Sequence, residues 1–431
     1  MAVWKGSVLL RGKGARRLVS AIFFVLVNSL RGQDAVSSAR NVERMIAASA
    51  SVDRGFSFPV AVSAEVLGNF SGGTSRAVIW ESLWNVGVAI DLEKAAGWTG
   101  GSLVVRALYA QGSGLTNVAV HDFNTLSNID TYDSLRLYET WLQQEFGDGK
   151  FSVRLGQLLA DAEFFGSDYG ALFLNSAFGA IPLVSQNLNP PIFPTAAPGV
   201  RLRADPSETF YAEVAFFRGD VGASDTTNKH NTRFSFRGED GALVFAEIGY
   251  RWHPPTATGA SQAASGEAAA LSGTYKLGGY YDSKDFADAG GGAAHRGEYS
   301  IYFIADQELW HPGGNVERAL SFFTRIGFAP QDRSTVAFYG DAGFDFRGWC
   351  AGRPGDTLGI GFSYAQLSSD LRDDSGRRLR AHHEAICELT YRAVVSSHVS
   401  IQPDLQFIFT PGAVQPAATA VVSGMRLNIA F

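Results

Sequence analysis

The sequence predicts an all-β fold, a single transmembrane antiparallel β-barrel of about sixteen strands, with long extracellular loops and short periplasmic turns. Three observations predict it. Segments alternate apolar and polar side chains, connections alternate between tight turns and long polar stretches, and the last strand ends in the aromatic Phe431. Side chains alternate faces along a strand, so each segment has one apolar and one polar face. No segment after the N-terminus is long and apolar enough to span a membrane as a helix, so a membrane-spanning chain would need a closed sheet.

The composition favours a barrel that lies in lipid. Apolar residues make up 46% and aromatic residues 12% of the chain, yet mean hydropathy is close to zero. A transmembrane barrel requires this mixture, because apolar side chains face lipid, polar ones face a wet lumen and aromatic ones lie at both interfaces. No Pro- or Ser-rich linker interrupts the chain, so residues 56–431 are predicted to form one barrel domain.

Residues 1–35 are predicted to be a signal peptide with an uncertain cleavage site. Five basic residues between positions 5 and 17 precede an apolar run at 18–27, which is too short to span a membrane. A membrane anchor or a buried helix is the alternative. Residues 36–55 would then form a short periplasmic segment. The net charge of the chain is -6, and residues 1–32 hold six Lys/Arg and no Asp/Glu, so the mature chain would be acidic and no nucleic acid is expected as a partner.

The strands are assigned from the alternation. In the last one, Met425, Leu427 and Ile429 share one face, while Arg426 and Asn428 share the other. The predicted strands cover 60–68, 76–91, 101–111, 134–146, 150–158, 199–205, 209–218, 242–252, 270–281, 299–310, 319–328, 335–346, 356–366, 382–394, 398–409 and 419–431. Their number is even, as expected for a bacterial single-chain barrel.

The connections sort by length into two sides. Tight turns are predicted at 146–150, 205–209 and 395–398, and long polar stretches at 112–133, 159–198, 219–241, 282–298 and 367–381. Short turns on one side and long loops on the other are typical of outer-membrane barrels. Two segments break the series, since 253–269 is long on the turn side and 329–334 is short on the loop side.

Several motifs resemble the carbohydrate-selective porins of the OprB family. They are Arg154–Gln157, Glu163–Phe178, Ala196–Arg203, Gly273–Tyr281 and Gly327–Pro330. The resemblance covers roughly residues 55 to 431, although the Asp-Trp-Gly-Gly segment that opens many members is not found. It implies passive uptake of neutral sugars across an outer membrane, with no catalysis, cofactor or metal. It also implies contact with outer-membrane lipid and with the barrel-assembly machinery, for which Phe431 would be the signal. Monomer and trimer both stay open.

A neutral sugar cannot be selected by net charge, so the pore must offer hydrogen-bond donors and acceptors and aromatic faces. Charged side chains on predicted strands are the candidates, because a charge that faces lipid is costly. The alternative is that they only solvate the lumen or pair with one another. The pore-lining candidates are Arg106, Glu139, Arg154, Arg201, Arg203, Glu213, Glu247, Arg251, Asp306 and Arg325.

The segment 159–198 is the candidate constriction loop, because it is the longest and too apolar for a loop in water. An extracellular lid or an oligomer contact is the alternative. Folded inward, it would bring Glu163, Asp168 and Tyr169 near Arg154, Arg201 and Arg203, since it joins the strands that carry those arginines. The constriction candidates are Glu163, Phe164, Phe165, Asp168, Tyr169 and Asn175.

Two other classes of function are weighed. Glu384 and Glu388 share one strand face, and paired carboxylates can hydrolyse glycosides, but carboxylates on a barrel wall are commoner than active sites. A general porin, a porin for another solute, or a structural or adhesive barrel is the second alternative. Cys350 and Cys387 have no metal-ligand spacing, and a disulfide between them is left open.

Overall fold

The computed structural model describes residues 54–222, 228–235, 238–253, 270–312, 318–372, 383–413 and 417–431. The predicted signal peptide, nearly all of the segment 36–55 and nearly all of 253–269 lie outside the described residues. Among the described residues, no helix has the length and apolar character needed to cross a bilayer. The two short α-helices are α1 (Leu92–Ala96) and α2 (Pro182–Ser185).

The strands follow one another along the chain, joined by short turns or longer loops. They are β1 Phe56–Ser57, β2 Val60–Ser71, β3 Val78–Asp91, β4 Gly101–Gly112, β5 Ser134–Phe146, β6 Phe151–Leu158, β7 Ala197–Ala204, β8 Phe210–Arg218, β9 Ala242–Trp252, β10 Gly273–Phe286, β11 His295–Trp310, β12 Ala319–Phe328, β13 Val336–Arg347, β14 Thr357–Leu367, β15 His383–Ser396, β16 Val399–Phe409 and β17 Ala420–Ala430.

Strands β2 to β17 form a closed antiparallel barrel of 16 strands. Each pairs with the next, and β17 closes the ring on β2 with Ala430 opposite Ala61. The two-residue β1 adds a short pairing to β3. All sixteen predicted strands are confirmed. The largest difference is the β10–β11 hairpin, which extends to 286 and from 295, so the predicted loop 282–298 is shorter.

The two faces of the wall differ as the alternation predicts. On β17, Met425 is 53% exposed on the outside, while Arg426 is 2% exposed on the inside. Large apolar side chains such as Trp80, Ile301 and Ile360 likewise face outwards. An arginine turned to the middle of a bilayer would cost about 2–4 kcal/mol, so burial of charge fixes which face points inwards.

A β-bulge in β5 changes that alternation. The register with β4 shifts between the pairs Arg106–Glu139 and Ala107–Leu137, which leaves Tyr138 as the extra residue. An extra residue reverses the faces beyond it. Glu139 and Trp141 therefore point into the barrel, although counting from Leu135, which faces outwards, would turn them to lipid.

Two loops on the same side of the barrel fold into its interior. The inward loop is residues 159–196, between β6 and β7, and the second inward loop is residues 113–133, between β4 and β5. Backbone bonds join them, with the N–H of Asn128 donating to Leu174 O at 2.8 Å and that of Ser176 to Thr125 O at 2.9 Å. The sequence predicted that the inward loop enters the barrel, but it did not predict that the second inward loop does so too.

Candidate pore and constriction site

The inward loop packs against the barrel wall through a small aromatic core. Phe164 and Phe165 are buried, and their rings lie 5.4 and 5.7 Å from that of Phe245 on β9. Phe165 also meets Tyr302 edge-on at 6.3 Å. Such rings bury large apolar areas in a fixed geometry. The two phenylalanines therefore hold the loop to the wall.

Glycines on the inner face of the wall leave room for aromatic rings. Gly249 lies opposite Tyr211 and Gly278 opposite Tyr302. A Cβ at these glycines would stand 2.0 and 2.4 Å from the tyrosine rings. The rings thus lie over the glycine backbone, and both hydroxyls donate to Glu247, at 2.7 and 3.0 Å.

Three of the pore-lining candidates bind the backbone of the inward loop. Glu247 accepts the N–H of Phe165 at 3.1 Å. Asp306 accepts the hydroxyl of Ser167 at 2.5 Å and the N–H of Asp168 at 3.1 Å. Arg325 donates to the carbonyl oxygens of Phe165, Ala177 and Gly179. All three side chains are almost fully buried. A buried charge is stable only when hydrogen-bonding groups compensate it, and here groups of the inward loop do so.

Two carboxylates that the sequence weighed as a hydrolase pair have the same role. Glu388 accepts the N–H groups of Leu174 and Asn175 at 2.6 and 3.0 Å. Glu384 accepts those of Phe123 and Asn124 on the second inward loop, at 2.7 and 2.9 Å. The side chain of Asn175 is equally buried and donates to Gln406 on the wall at 3.0 Å. These acids are committed to backbone donors.

A second cluster joins the start of the inward loop to β6 and β7. Glu163 forms ion pairs with Arg154 and with Arg201, the latter at 3.6 Å. Both arginines donate to Gln143 at 2.9 Å, and the guanidinium of Arg154 lies 4.0 Å from the centre of the Trp141 ring. The structure therefore brings Glu163 to two of the three arginines that were expected to lie near it.

The other three residues of that expectation, Asp168, Tyr169 and Arg203, lie elsewhere. The N–H groups of Asp168 and Tyr169 point to Asp306 on β11, at 3.1 and 3.4 Å. Arg203 binds Glu213 and Asp205, at 3.0 and 2.6 Å. The loop crosses the lumen, so residues only a few positions apart reach different parts of the wall.

Three candidate arginines keep part of their side chain exposed to the lumen. They are Arg106 at 14%, Arg203 at 17% and Arg251 at 28%. Each is paired with acid. Arg106 binds Glu139 at 2.8 Å, and Arg251 shares Asp205 with Arg203, at 2.9 Å.

An aromatic ring lies beneath two of these arginines. The guanidinium groups of Arg203 and Arg251 lie 4.2 and 4.8 Å from the centre of the Tyr211 ring. The two side chains flank one ring and share one carboxylate, Asp205. Burial alone would raise the pKa of Asp205, but the hydrogen bonds and positive charges of the two arginines outweigh it and hold that pKa below its ordinary value. The Asp205 carboxylate thus stays ionised at neutral pH.

Other buried polar groups were missed by sequence reasoning. Arg136, Arg218 and Arg426 are all buried and bind loop residues. Their position on the inward face of the strands was the sequence signal that could have identified them as lumenal residues. Within the described residues no group of three His, Cys, Asp or Glu side chains is placed to hold a metal ion. Cys350 and Cys387 are free thiols, so the disulfide that was left open is not formed.

A closed barrel with an apolar exterior, a charged interior and an inward-folded loop defines the class of bacterial outer-membrane porins. The sequence model described as "Carbohydrate-selective porin, OprB family" matches residues 78–431. The chain belongs to this family, and it is a β-barrel of the bacterial outer membrane.

Individual relatives agree over most of the chain. Porin B of Pseudomonas aeruginosa is 24% identical over 419 residues, which cover 88% of each chain. A putative porin, QuiX, of Acinetobacter baylyi is 22% identical over 410 residues, 88% of this chain and 90% of the relative. The high-pH structure of Pseudomonas putida OprB superposes with a TM-score of 0.77 at 21% identity, covering 93% of this chain and 100% of that one. This last likeness bears on the fold alone.

Proposed function

We propose that the barrel carries neutral mono- or small oligosaccharides by passive diffusion past the exposed arginines Arg106, Arg203 and Arg251, in a lumen narrowed by the inward loop. Family membership supports carbohydrate as the solute class. One observation carries the finer proposal, namely that each of these arginines is paired with a carboxylate. The lumen thus offers many donors and acceptors while its local charge stays near zero.

The chemistry of the pairs suits a sugar. Guanidinium N–H groups donate to sugar hydroxyls, and the neighbouring carboxylates accept from them, so the pair can replace the hydration shell of the solute. Each such bond contributes about 0.5–1.5 kcal/mol net. Weak, repeated binding of this size suits a channel, because a tightly held solute would not leave.

The test is reconstitution in liposomes, with swelling rates for a series of sugars against amino acids of similar size. Faster swelling in sugars, with no change in the sugars themselves, supports selective passage. Equal rates for both solute types would favour a general porin, and no swelling would favour a structural or adhesive barrel. Release of cleaved product would favour the hydrolase, although Glu384 and Glu388 are both bound to backbone N–H groups.

Export and assembly belong to the same proposal. Residues 1–35 would direct the chain out of the cytoplasm, with 36–55 left in the periplasm. Phe431 would serve as the assembly signal, and it also closes the barrel, since its N–H donates to Val60 O at 2.9 Å and its ring stacks on that of His398. Deleting Phe431 should lower the amount of protein in the outer membrane, measured by membrane fractionation. Replacement by Trp is the control, and a wild-type amount of the deletion variant would refute the role.

A further inference from the structure

Arg325 on β12 binds two separate stretches of the inward loop at once. Its guanidinium donates to the carbonyl oxygens of Phe165 at 3.2 Å, Ala177 at 2.9 Å and Gly179 at 2.7 Å. The side chain is only 1% exposed. It was a pore-lining candidate, but a group so covered does not meet a solute.

The guanidinium is itself held in one orientation. Asp341, directly opposite on β13, accepts from it twice, at 2.9 and 2.6 Å. The hydroxyl of Tyr339 lies 2.8 Å from Asp341 Oδ2 and 2.7 Å from Ala177 O, and either oxygen can accept its single proton. Wall and loop thus share one hydrogen-bond network, which can be more stable than its separate bonds.

We propose that Arg325 is a positioning residue that fixes the distance between the two stretches of the inward loop, around 165 and around 177–179, and so sets the width of the passage. This rests on the proposed function only in taking the inward loop as the narrowing element. The solute touches the exposed arginines, and Arg325 acts on it through the loop.

The role depends on the shape of the guanidinium as well as on its charge. Its donors form a rigid planar fork, which can serve Asp341 on one edge and loop carbonyls on the others. A lysine ammonium is a compact charge with three donors on a flexible stem. Arg325→Lys therefore keeps the ion pair and loses the simultaneous contact with both stretches of the loop.

The experiment compares three variants in planar bilayers: Arg325→Lys, Arg325→Met with Asp341→Asn, and Tyr339→Phe. The paired change avoids an uncompensated buried carboxylate. We expect each to assemble as a heat-modifiable barrel, with more open-channel current noise and a larger size limit for neutral polymers. The fraction of channels in which the inward loop has left its position on the wall should rise by about tenfold in Arg325→Lys. Losing one hydrogen bond to a charged group shifts the equilibrium between the attached and the displaced loop by at least that factor. Tyr339→Phe should show a smaller rise.

Arg218→Lys is the matched control. Arg218 is equally buried and also donates to loop carbonyl oxygens, those of Asp220, Val221, Arg233 and Ser235, but these belong to the loop 219–241. Its noise and polymer limit should stay near wild type. Wild-type noise and polymer limit in assembled Arg325→Lys overturn the proposal. If that variant fails to assemble, Tyr339→Phe decides, since a rise in noise supports the proposal and wild-type noise overturns it. These readouts use ions and polymers, so they stand even if sugar selectivity fails.

Discussion

The charged residues of the barrel interior fall into two groups that have the same chemistry and different surroundings. In one group, which includes Glu247, Asp306 and Arg325, each side chain is buried and bound to the inward loop. In the other, Arg203 and Arg251 keep part of their surface open and bind Glu213 on β8 and Asp205 in the turn that follows β7. The difference shows that an inward charge on a barrel strand has two uses, positioning a loop and meeting a solute.

Burial separates the two uses for a physical reason. A covered charge is stable only if every neighbouring dipole is arranged for it, so it cannot also change partners with a passing solute. An ion pair that is partly hydrated loses less free energy when one of its members binds a solute instead. The anchoring group should thus govern stability and pore width, and the exposed group should govern solute preference.

The largest expected effect follows from removing an anchor. Glu247→Ala leaves the N–H of Phe165 and the hydroxyls of Tyr211 and Tyr302 without their acceptor. Each unsatisfied buried donor costs about 1–3 kcal/mol, so the folded barrel should lose heat stability clearly, measured by the temperature at which its folded band disappears in gel electrophoresis. Ile248→Ala, the next residue and facing outwards, is the control and should melt near wild type. Equal melting of both variants would show that Glu247 is no anchor.

A smaller effect is expected from filling the room beneath the loop. A Cβ at Gly361 would stand 2.8 Å from the ring of Phe173 and 2.9 Å from that of Phe178. Gly361→Ala should push both rings inwards at a cost of about 1–3 kcal/mol and lower single-channel conductance. Gly340→Ala is the control, because its Cβ would come no closer than 3.3 Å to any neighbour, the far end of the Phe338 side chain. Unchanged conductance in Gly361→Ala would mean that the loop does not limit the current.

The smallest effect concerns pH. Burial raises the pKa of Asp161, in the inward loop, from 3.8 to about 7, with Glu139 nearby acting in the same direction. The folded state thus keeps a proton that the unfolded state releases between these values. Loop attachment should weaken as pH rises from about 4 to 7 and stay level above that range.

Asp161→Asn imitates the protonated form, so it should remove this pH dependence. The measurement is open-channel noise against pH, which should rise towards pH 7 in the wild type and stay flat in the variant. Parallel curves for the two proteins would contradict the assignment. Tyr138 and Glu139 on β5 and the N–H of Phe193 are the groups that face Asp161.

The sequence predicted the wall well because alternation is a local property. It predicted the face of Arg325 correctly, since a charge pointing to lipid is costly. It could not show whether a loop buries that charge, because burial of this kind depends on contacts between residues that are far apart in the sequence. The bulge at Tyr138 was also hidden, as one extra residue leaves no mark in composition. Gly359 and Gly361 alternate in the sequence with the apolar Ile360 and Phe362, but nothing local marks the phenylalanine rings of the inward loop that lie against these glycines.

Sugar passage through a variant of the exposed group separates contact with the solute from anchoring of the loop. Arg251→Ala is combined with Arg203→Ala and Glu213→Gln, so that no buried carboxylate is left without its arginine. Liposome swelling should show a fall of about two- to tenfold in the preference for sugars over amino acids, from the loss of one weak hydrogen bond or more, with heat stability near wild type. Arg201→Ala, from the buried cluster with Glu163, should instead lower heat stability. Wild-type sugar preference in the combined variant would show that the exposed arginines do not select the solute.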